Sequence, residues 1–351
     1  VAAIAARLSV ARLFWASLVA IGVALVLTRV AFALPGLTQP IVALTQLRWV
    51  ILFMFAYVVL SQHRGYRRLG IVVTVEIAIG FLGFFSGFRT VLIVMLLAAL
   101  TAPEALRGIR LRTAALLGVA ILTLAVAWTG IKSDYRQFLN QGTGQQVVLV
   151  PVADRVAKLV ELTGDLDAER LNASVQKLME RLTYVYYFGR TLQVVPAYLP
   201  YEHGALWGEA IENAVLPRLI NPDKRVIDDS ERTSLYSGTR VAGASEGTSI
   251  SLGYIAESYI DFGPVLMMLP LALWGVFVGR VYAILLRATR YPLLGYGSGA
   301  VVVGLGASVL ESSNLKMVAG VVLGFLALLV VQKVAGGWLL RLLAQPAARS
   351  A

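Results

Sequence analysis

The feature that most constrains this chain is a series of apolar runs, each close to the length of a membrane-spanning helix and each ended by a basic loop or a helix breaker. Leu13 to Leu34 closes at Pro35-Gly36, and Leu47 to Leu60 ends in SQHRGYRRLG. Gly70 to Leu100 is apolar apart from Glu76 and one break, Phe85-Ser86-Gly87, followed by Phe88-Arg89-Thr90. Thr113 to Ile131, Val265 to Leu285, Leu293 to Leu310 and Met317 to Val331 follow. A helix rises about 1.5 Å per residue and a bilayer core is about 30 Å thick, so runs of about 20 residues cross it, or fewer where neighbours shelter them. Composition agrees: 58% of residues are hydrophobic and 15% charged, against about a quarter charged in soluble domains.

Charge placement gives an orientation. Of 31 basic and 20 acidic residues, 13 and 15 fall between 132 and 250, which leaves 18 basic against 5 acidic in the apolar runs and their short loops. That is the bias of cytoplasmic loops. Arg64, Arg67 and Arg68 then lie on the same side as Arg107, Arg110 and Arg112, so Gly70–Leu100 must turn back as a short hairpin near Ser86-Gly87. The net charge of +11 reports orientation and calls for no nucleic-acid partner. The chain opens at Val1, VAAIAARLSV is no cleavable signal peptide, and further helices upstream are compatible with the pattern.

The expected fold is therefore all-α: a polytopic membrane protein of about eight spans with one long extracytoplasmic loop. Residues 1–131 read as an N-terminal transmembrane bundle with a short hairpin at 70–100. Residues 132–250 read as the extracytoplasmic loop with amphipathic helices, and 251–351 as an interfacial helix followed by C-terminal transmembrane helices. In the loop, Asp167 can cap a helix whose Leu171, Val175, Leu178, Leu182 and Val185 share one face, suited to lying on the bilayer or on the bundle. A helix from Thr248 to Phe262 should break at Gly263-Pro264.

The polar stretch from Leu216 to Gly263 stands out inside so much hydrocarbon. Arg218, Lys224, Arg225 and Arg240, several hydroxyls, and Tyr236, Tyr254 and Tyr259 give it what an anionic, hydroxyl-rich ligand needs. Arg181 and Arg190 precede it. Guanidinium forks match phosphate oxygens two at a time, and such cations are needed where no metal supports a pyrophosphate leaving group. Arg89, next to the hairpin turn, is a charge in an apolar run and so a functional candidate, with snorkelling to the interface as its structural alternative. Glu76 is read first as a packing residue and second as a proton relay. Arg29 and Arg48 sit where snorkelling accounts for them, and Glu311 and Lys316 flank a turn where they can pair.

Glu246, Glu257 and Asp261 are candidate general bases. Glu257 and Asp261 share a helical face, which a water-facing surface explains equally well. His203 reads as a surface or aromatic-cluster residue. With no cysteine and only His63 and His203, thiolate and multi-histidine metal centres are excluded. Asp228-Asp229-Ser230-Glu231 lacks the spacing of a calcium loop and reads as a solvated turn. Neither metal nor cofactor is expected.

Two pieces together resemble a known family. Ser86-Gly87-Phe88-Arg89-Thr90 is similar to the element of bacterial O-antigen polymerases and ligases in which an arginine follows a polar turn. The loop Leu216-Pro217-Arg218-Leu219-Ile220-Asn221-Pro222-Asp223-Lys224, followed by a glycine-rich link and Gly253-Tyr254-Ile255-Ala256-Glu257, looks like the outer loop and next helix of Wzy-type oligosaccharide repeat-unit polymerases. The likeness covers most of the chain from about Gly70.

The resemblance implies a GT-C-like, metal-independent glycosyltransferase of the bacterial inner membrane that makes exopolysaccharide or O-antigen. Its donor and acceptor would be undecaprenyl-pyrophosphate-linked oligosaccharides, with membrane lipid around it and a chain-length regulator of the polysaccharide co-polymerase type as a further partner. The implied catalytic residues are Arg89, Arg240 and Glu257; the implied substrate-binding residues are Arg181, Arg190, Arg218, Lys224, Arg225 and Tyr254. O-antigen ligases are similar but carry a histidine in the corresponding loop, and His203 lies well before the glycine-rich link, which favours a polymerase. A transporter or flippase of lipid-linked saccharides is the alternative from another class; it would show paired broken helices and polar groups at mid-membrane.

Overall fold

In the computed structural model the described residues are 2–34, 36–84, 87–102, 111–143, 148–182, 185–216, 228–243, 249–307 and 309–344. They form helices without strands apart from one isolated bridge, Leu8 to Ala344. In chain order the helices are α1 Ala2–Ala5, α2 Val10–Ala33, α3 Thr38–Leu44, α4 Leu47–Gln62, α5 Tyr66–Leu82, α6 Phe88–Thr101, α7 Leu111–Leu139, α8 Val152–Gly164 and α9 Ala168–Leu182. There follow α10 Val185–Val194, α11 Ala205–Val215, α12 Asp229–Ser237, α13 Tyr254–Leu266, α14 Met268–Arg287, α15 Pro292–Val301 with a π-helical continuation Val302–Ala307, α16 Asn314–Val334 and α17 Gly336–Leu343.

Among the described residues four helical segments are long and apolar enough to cross a membrane: Val10–Ala33, Thr38–Gln62, Met268–Arg287 and Asn314–Val334. The run Thr113–Ile131 lies within the 29-residue α7, and the remaining apolar runs give shorter helices. Phe88–Thr101, with 14 residues, reaches only about 21 Å at 1.5 Å per residue, short of a 30 Å hydrocarbon core on its own. Of the about eight spans expected, four are thus matched by long apolar helices among the described residues.

The core sits around α4. Every residue from Val50 to Val59 is buried, as a helix apolar on all sides must be. By contrast α2 and α14 leave Trp15, Val19, Val26, Leu269, Leu273 and Val276 exposed. Apolar rows that continuous are surfaces for lipid or for other helices.

Helices α5 and α6 fold back on one another. Gly80 is required there: a Cβ on it would lie 2.2 Å from the Phe88 backbone nitrogen. Phe81 stacks on Phe88 with ring centroids 4.3 Å apart, and Trp128 of α7 meets both edge to face. Carbonyls at the end of α5, which have no intrahelical donor, are met from outside: Arg155 Nη1 donates to Leu82 O at 3.1 Å, and Arg136 Nε to Phe84 O at 3.1 Å. In this way α7 and α8 are fastened to the α5–α6 turn.

The amphipathic helix expected after Asp167 forms as α9, with the Asp167 carboxylate accepting from Arg170 N at 2.7 Å. Its Leu171 and Val175 are exposed while Ser174 is buried, facing Gly130 of α7. Small residues allow the close approach, and the apolar row is turned away from the bundle. Helix α13 breaks at Gly263, whose φ of 73° and ψ of −176° leave the helical region. Glycine adopts that conformation without strain, and Pro264 then starts the next turn, where its missing N–H is not needed.

Candidate functional site

Helices α11, α12 and α13 dock on the N-terminal end of α16, and the contact is made by buried carboxylates on helix ends. A helix N-terminus presents N–H groups without partners and a partial positive charge, so a carboxylate placed there is stabilised. Asp261 of α13 accepts from Leu206 N at 3.0 Å and Trp207 N at 2.9 Å, which caps α11. Trp207 also donates its indole N–H to Ser258 Oγ at 2.9 Å. Glu257, one turn before Asp261, accepts from Asn314 N at 2.7 Å and so sits on the first turn of α16.

Asp229 of α12 completes the arrangement. Its Oδ2 accepts from Ser251 and from Ser313, the latter at 3.1 Å, and lies 2.7 Å from Lys316 Nζ. Ser313 is itself the N-cap of α16, and Lys316 also donates to Ser249 Oγ at 2.8 Å. Arg232 of α12 bonds to Glu209 of α11 and holds its Nη1 3.7 Å from Glu257 Oε1.

The electrostatics follow from burial. Glu257 is 1% exposed, and loss of water raises its carboxyl to about 7 against the pull of Arg232 and the Asn314 N–H. Burial also raises Asp261, against the opposing hydrogen bonds from Trp207 and Leu206. The Tyr236 hydroxyl, buried and donating to Glu202 at 2.7 Å, is raised as well. A carboxyl that changes charge near neutrality is suited to taking and giving up a proton.

Tyr254 lies one turn before Glu257 and lines an apolar crevice of about 360 Å³ together with Ile255, Leu271, Trp274, Val278 and Val303. A second, polar hollow of about 470 Å³ lies between α7, α8 and α9, with Asp134, Gln137, Lys158, Asp165 and Arg170 among its walls.

The arginines singled out in the sequence lie apart. Arg89 is exposed in the first turn of α6 and Arg240 is exposed after α12; among the described residues neither has a hydrogen bond or ion pair. Arg190 of α10 donates to Gln193 at 3.0 Å, and its Nη2 lies 4.0 Å from the Cβ position of Gly238, two residues before Arg240. Arg190 and Arg240 thus border the same end of α12, while Arg89 belongs to the α5–α6 turn. Arg218, Lys224, Arg225 and Glu246 fall outside the described residues, as does the side chain of Arg181.

Several residues behave differently from the sequence reading. The face carrying Glu257 and Asp261 is buried and bonded, not turned to water. Asp228-Asp229-Ser230-Glu231 is no solvated turn: Asp228 is the N-cap of α12, accepting from Ser230 N at 2.9 Å, and Asp229 is buried. Lys316 reaches Asp229 and Ser249 across the chain. Arg48, expected to snorkel, has its Nη1 3.8 Å from Glu76 Oε2. Arg232 is not among the residues the sequence singles out, and Asp229 and Asn314 read there only as turn residues, although Asp228 with Glu231 three residues later fits a capping box and marks α12 as a helix start.

Comparison of the chain with protein-family models, with curated proteins and with solved structures finds no match. Fold and site define a helical chain with four helices, among the described residues, long and apolar enough to cross a membrane. A charged, buried cluster lies where its polar helices meet the end of α16.

Proposed function

We propose that this chain is a membrane glycosyltransferase that joins polyprenyl-pyrophosphate-linked oligosaccharide repeat units into a polysaccharide. It is a GT-C-like enzyme of the bacterial inner membrane, with residues 132–250 on the outer side and undecaprenyl pyrophosphate as the carrier. The observation that carries this reading is the neighbourhood of Glu257 and Tyr254 on α13. One turn of helix separates a carboxyl raised to about 7 from an apolar crevice of about 360 Å³. A substrate that is half hydrocarbon and half polar head needs those two environments side by side.

In this mechanism an acceptor hydroxyl oxygen attacks the anomeric carbon of the donor and forms the new glycosidic bond. The bond from that carbon to the phosphate oxygen breaks, and its electron pair leaves with the lipid pyrophosphate. The hydroxyl proton passes to the Glu257 carboxylate. A single displacement inverts the anomeric configuration. Arg89, Arg240 and Arg190 carry guanidinium groups not tied to a carboxylate among the described residues, and they would stabilise the charge growing on the leaving group.

The test is turnover by the purified full chain in liposomes that contain lipid-linked repeat units, read as polymer length and released polyprenyl pyrophosphate. Polymer formed by this chain alone supports the reading, and its absence in an otherwise competent assay sinks it.

A transporter of lipid-linked saccharides is the second reading, and one observation favours it. The helix over 38–62 is interrupted at Thr45-Gln46, and the Arg48–Glu76 pair follows the break within the apolar core. Charges at such places mark substrate or ion pathways in membrane proteins. Movement of labelled lipid-linked sugar across the bilayer without polymer formation would select this reading.

A further inference from the structure

Helices α8 and α9 each leave an apolar row exposed: Val152, Val156 and Val160 on α8, and Leu171, Val175 and Met179 on α9. At steps of four, each row is one stripe of its helix. The other sides are charged. Lys158 and Glu161 stand across α8 from its row and Arg170 across α9, and all three border the hollow of about 470 Å³.

Two contacts fix the level of these helices on the bundle. Helix α7 holds the apolar run Thr113 to Ile131 between Arg112 and Lys132, and that run rises about 28 Å, close to the thickness of a bilayer core. Gly130 stands at its far end, and Ser174 of α9 packs there: a Cβ on Gly130 would lie 2.7 Å from Ser174 Oγ. Helix α5 opens with Tyr66-Arg67-Arg68 and, with 17 residues, climbs about 25 Å to Leu82. Arg155 of α8 donates to the Leu82 carbonyl at 3.1 Å. Both helices therefore meet the bundle where hydrocarbon gives way to headgroups.

That level identifies what covers the rows. The apolar medium within reach is the upper part of the lipid acyl chains, continuous with the surface that Leu116, Val119 and Leu122 expose nearer the basic end of α7. Amphipathic helices in such a place sink their apolar side about 5 to 10 Å into the boundary between headgroups and acyl chains. We propose that α8 and α9 lie flat in the lipid headgroup region, with both rows among the acyl chains and the charged hollow turned to water. The inference holds for a transferase and for a transporter alike.

The chain has no cysteine, so a thiol-reactive dye sensitive to its surroundings can be placed at one site at a time. The purified full chain is labelled through Val156→Cys or Val175→Cys on the rows, and through Asp154→Cys or Ala173→Cys on the charged sides, in bilayers of phosphatidylethanolamine and phosphatidylglycerol. Val160→Cys and Leu171→Cys repeat the measurement at a second site on each row, and melting temperatures check the fold. Labels on the rows emit at shorter wavelength, and a quencher carried near the lipid headgroup dims them about threefold more than one carried at the acyl end, as the depth of an interfacial helix requires. Labels in place of Asp154 and Ala173 are instead quenched by iodide from the water. Iodide quenching on either row as strong as at those two sites overturns the proposal. So does shielding of the rows that neither lipid-borne quencher relieves, which would mark a protein partner or a second copy of this chain.

Discussion

Arg232 Nη1 stands 3.7 Å from Glu257 Oε1 while the same guanidinium bonds to Glu209, so one arginine of α12 balances carboxylates from both α11 and α13. The pair is buried, with side-chain exposures of 12% and 1%. Above about pH 7, where the Glu257 carboxyl is ionised, removing Arg232 leaves that carboxylate charged and desolvated, at a cost of about 3 to 5 kcal/mol. Arg232→Ala is therefore expected to destabilise the chain by that amount in denaturant or thermal unfolding, and Arg232→Lys by less. Equal stability of Arg232→Ala and wild type would show that the pair contributes nothing.

Glu257 gives a pH signature. Its folded value of about 7 lies above the ordinary 4.5, so between these values the folded chain keeps a proton that the unfolded chain releases. Stability from this group is then greatest below about pH 4.5 and declines as pH rises to 7, by about 3 kcal/mol at 1.36 kcal/mol per unit. Glu257→Gln, which cannot ionise, should flatten that part of the profile. Melting temperatures of wild type and variant across pH 4.5–7.5 provide the check.

Asp261 caps α11 with two backbone hydrogen bonds. Asp261→Ala leaves both N–H groups buried without an acceptor, and losing a cap of this kind costs about 0.5 to 2 kcal/mol. Because Trp207 donates one of those bonds, its fluorescence should report the loosened helix start before the rest of the chain melts. An unaltered Trp207 signal with unaltered stability would count against the capping role.

Arg89 and Arg240 are expected to behave in the opposite way. Neither has a partner among the described residues, so Arg89→Ala and Arg240→Ala should leave stability within about 0.5 kcal/mol of wild type. Polymer synthesis should fall about 100- to 1,000-fold for each, the usual cost of one charge-stabilising group. Full polymer length and yield in both variants would remove these arginines from the reaction.

Gly263 combines a left-handed φ of 73° with a close neighbour, since a Cβ there would lie 3.0 Å from the Tyr201 ring. Gly263→Ala should cost about 1 to 3 kcal/mol through backbone strain alone. It should also shift the join between α13 and α14, read as lost protection of the α13 amides in hydrogen exchange.

The sequence by itself determined what depends on neighbours in the chain. Apolar runs with basic ends make helices, Gly70–Leu100 divides into two elements between Leu82 and Phe88, around the expected break at Phe85-Ser86-Gly87, of which Phe85 and Ser86 fall outside the described residues, and Gly263-Pro264 interrupts α13. All of these are local: backbone hydrogen bonds close within a turn, and glycine and proline act where they stand. What tertiary structure alone decided is which charges are buried and what they meet. Asp261 finds the start of α11 54 and 55 residues away, Glu257 finds Asn314 57 residues away, and Asp229 finds Ser313 84 residues away. In the sequence Asp229 looks like any solvated acid, and Asn314 like a turn residue. Only the docking of α11, α12 and α13 on α16 removes their water, and a carboxylate without water takes the nearest helix end or cation as its partner.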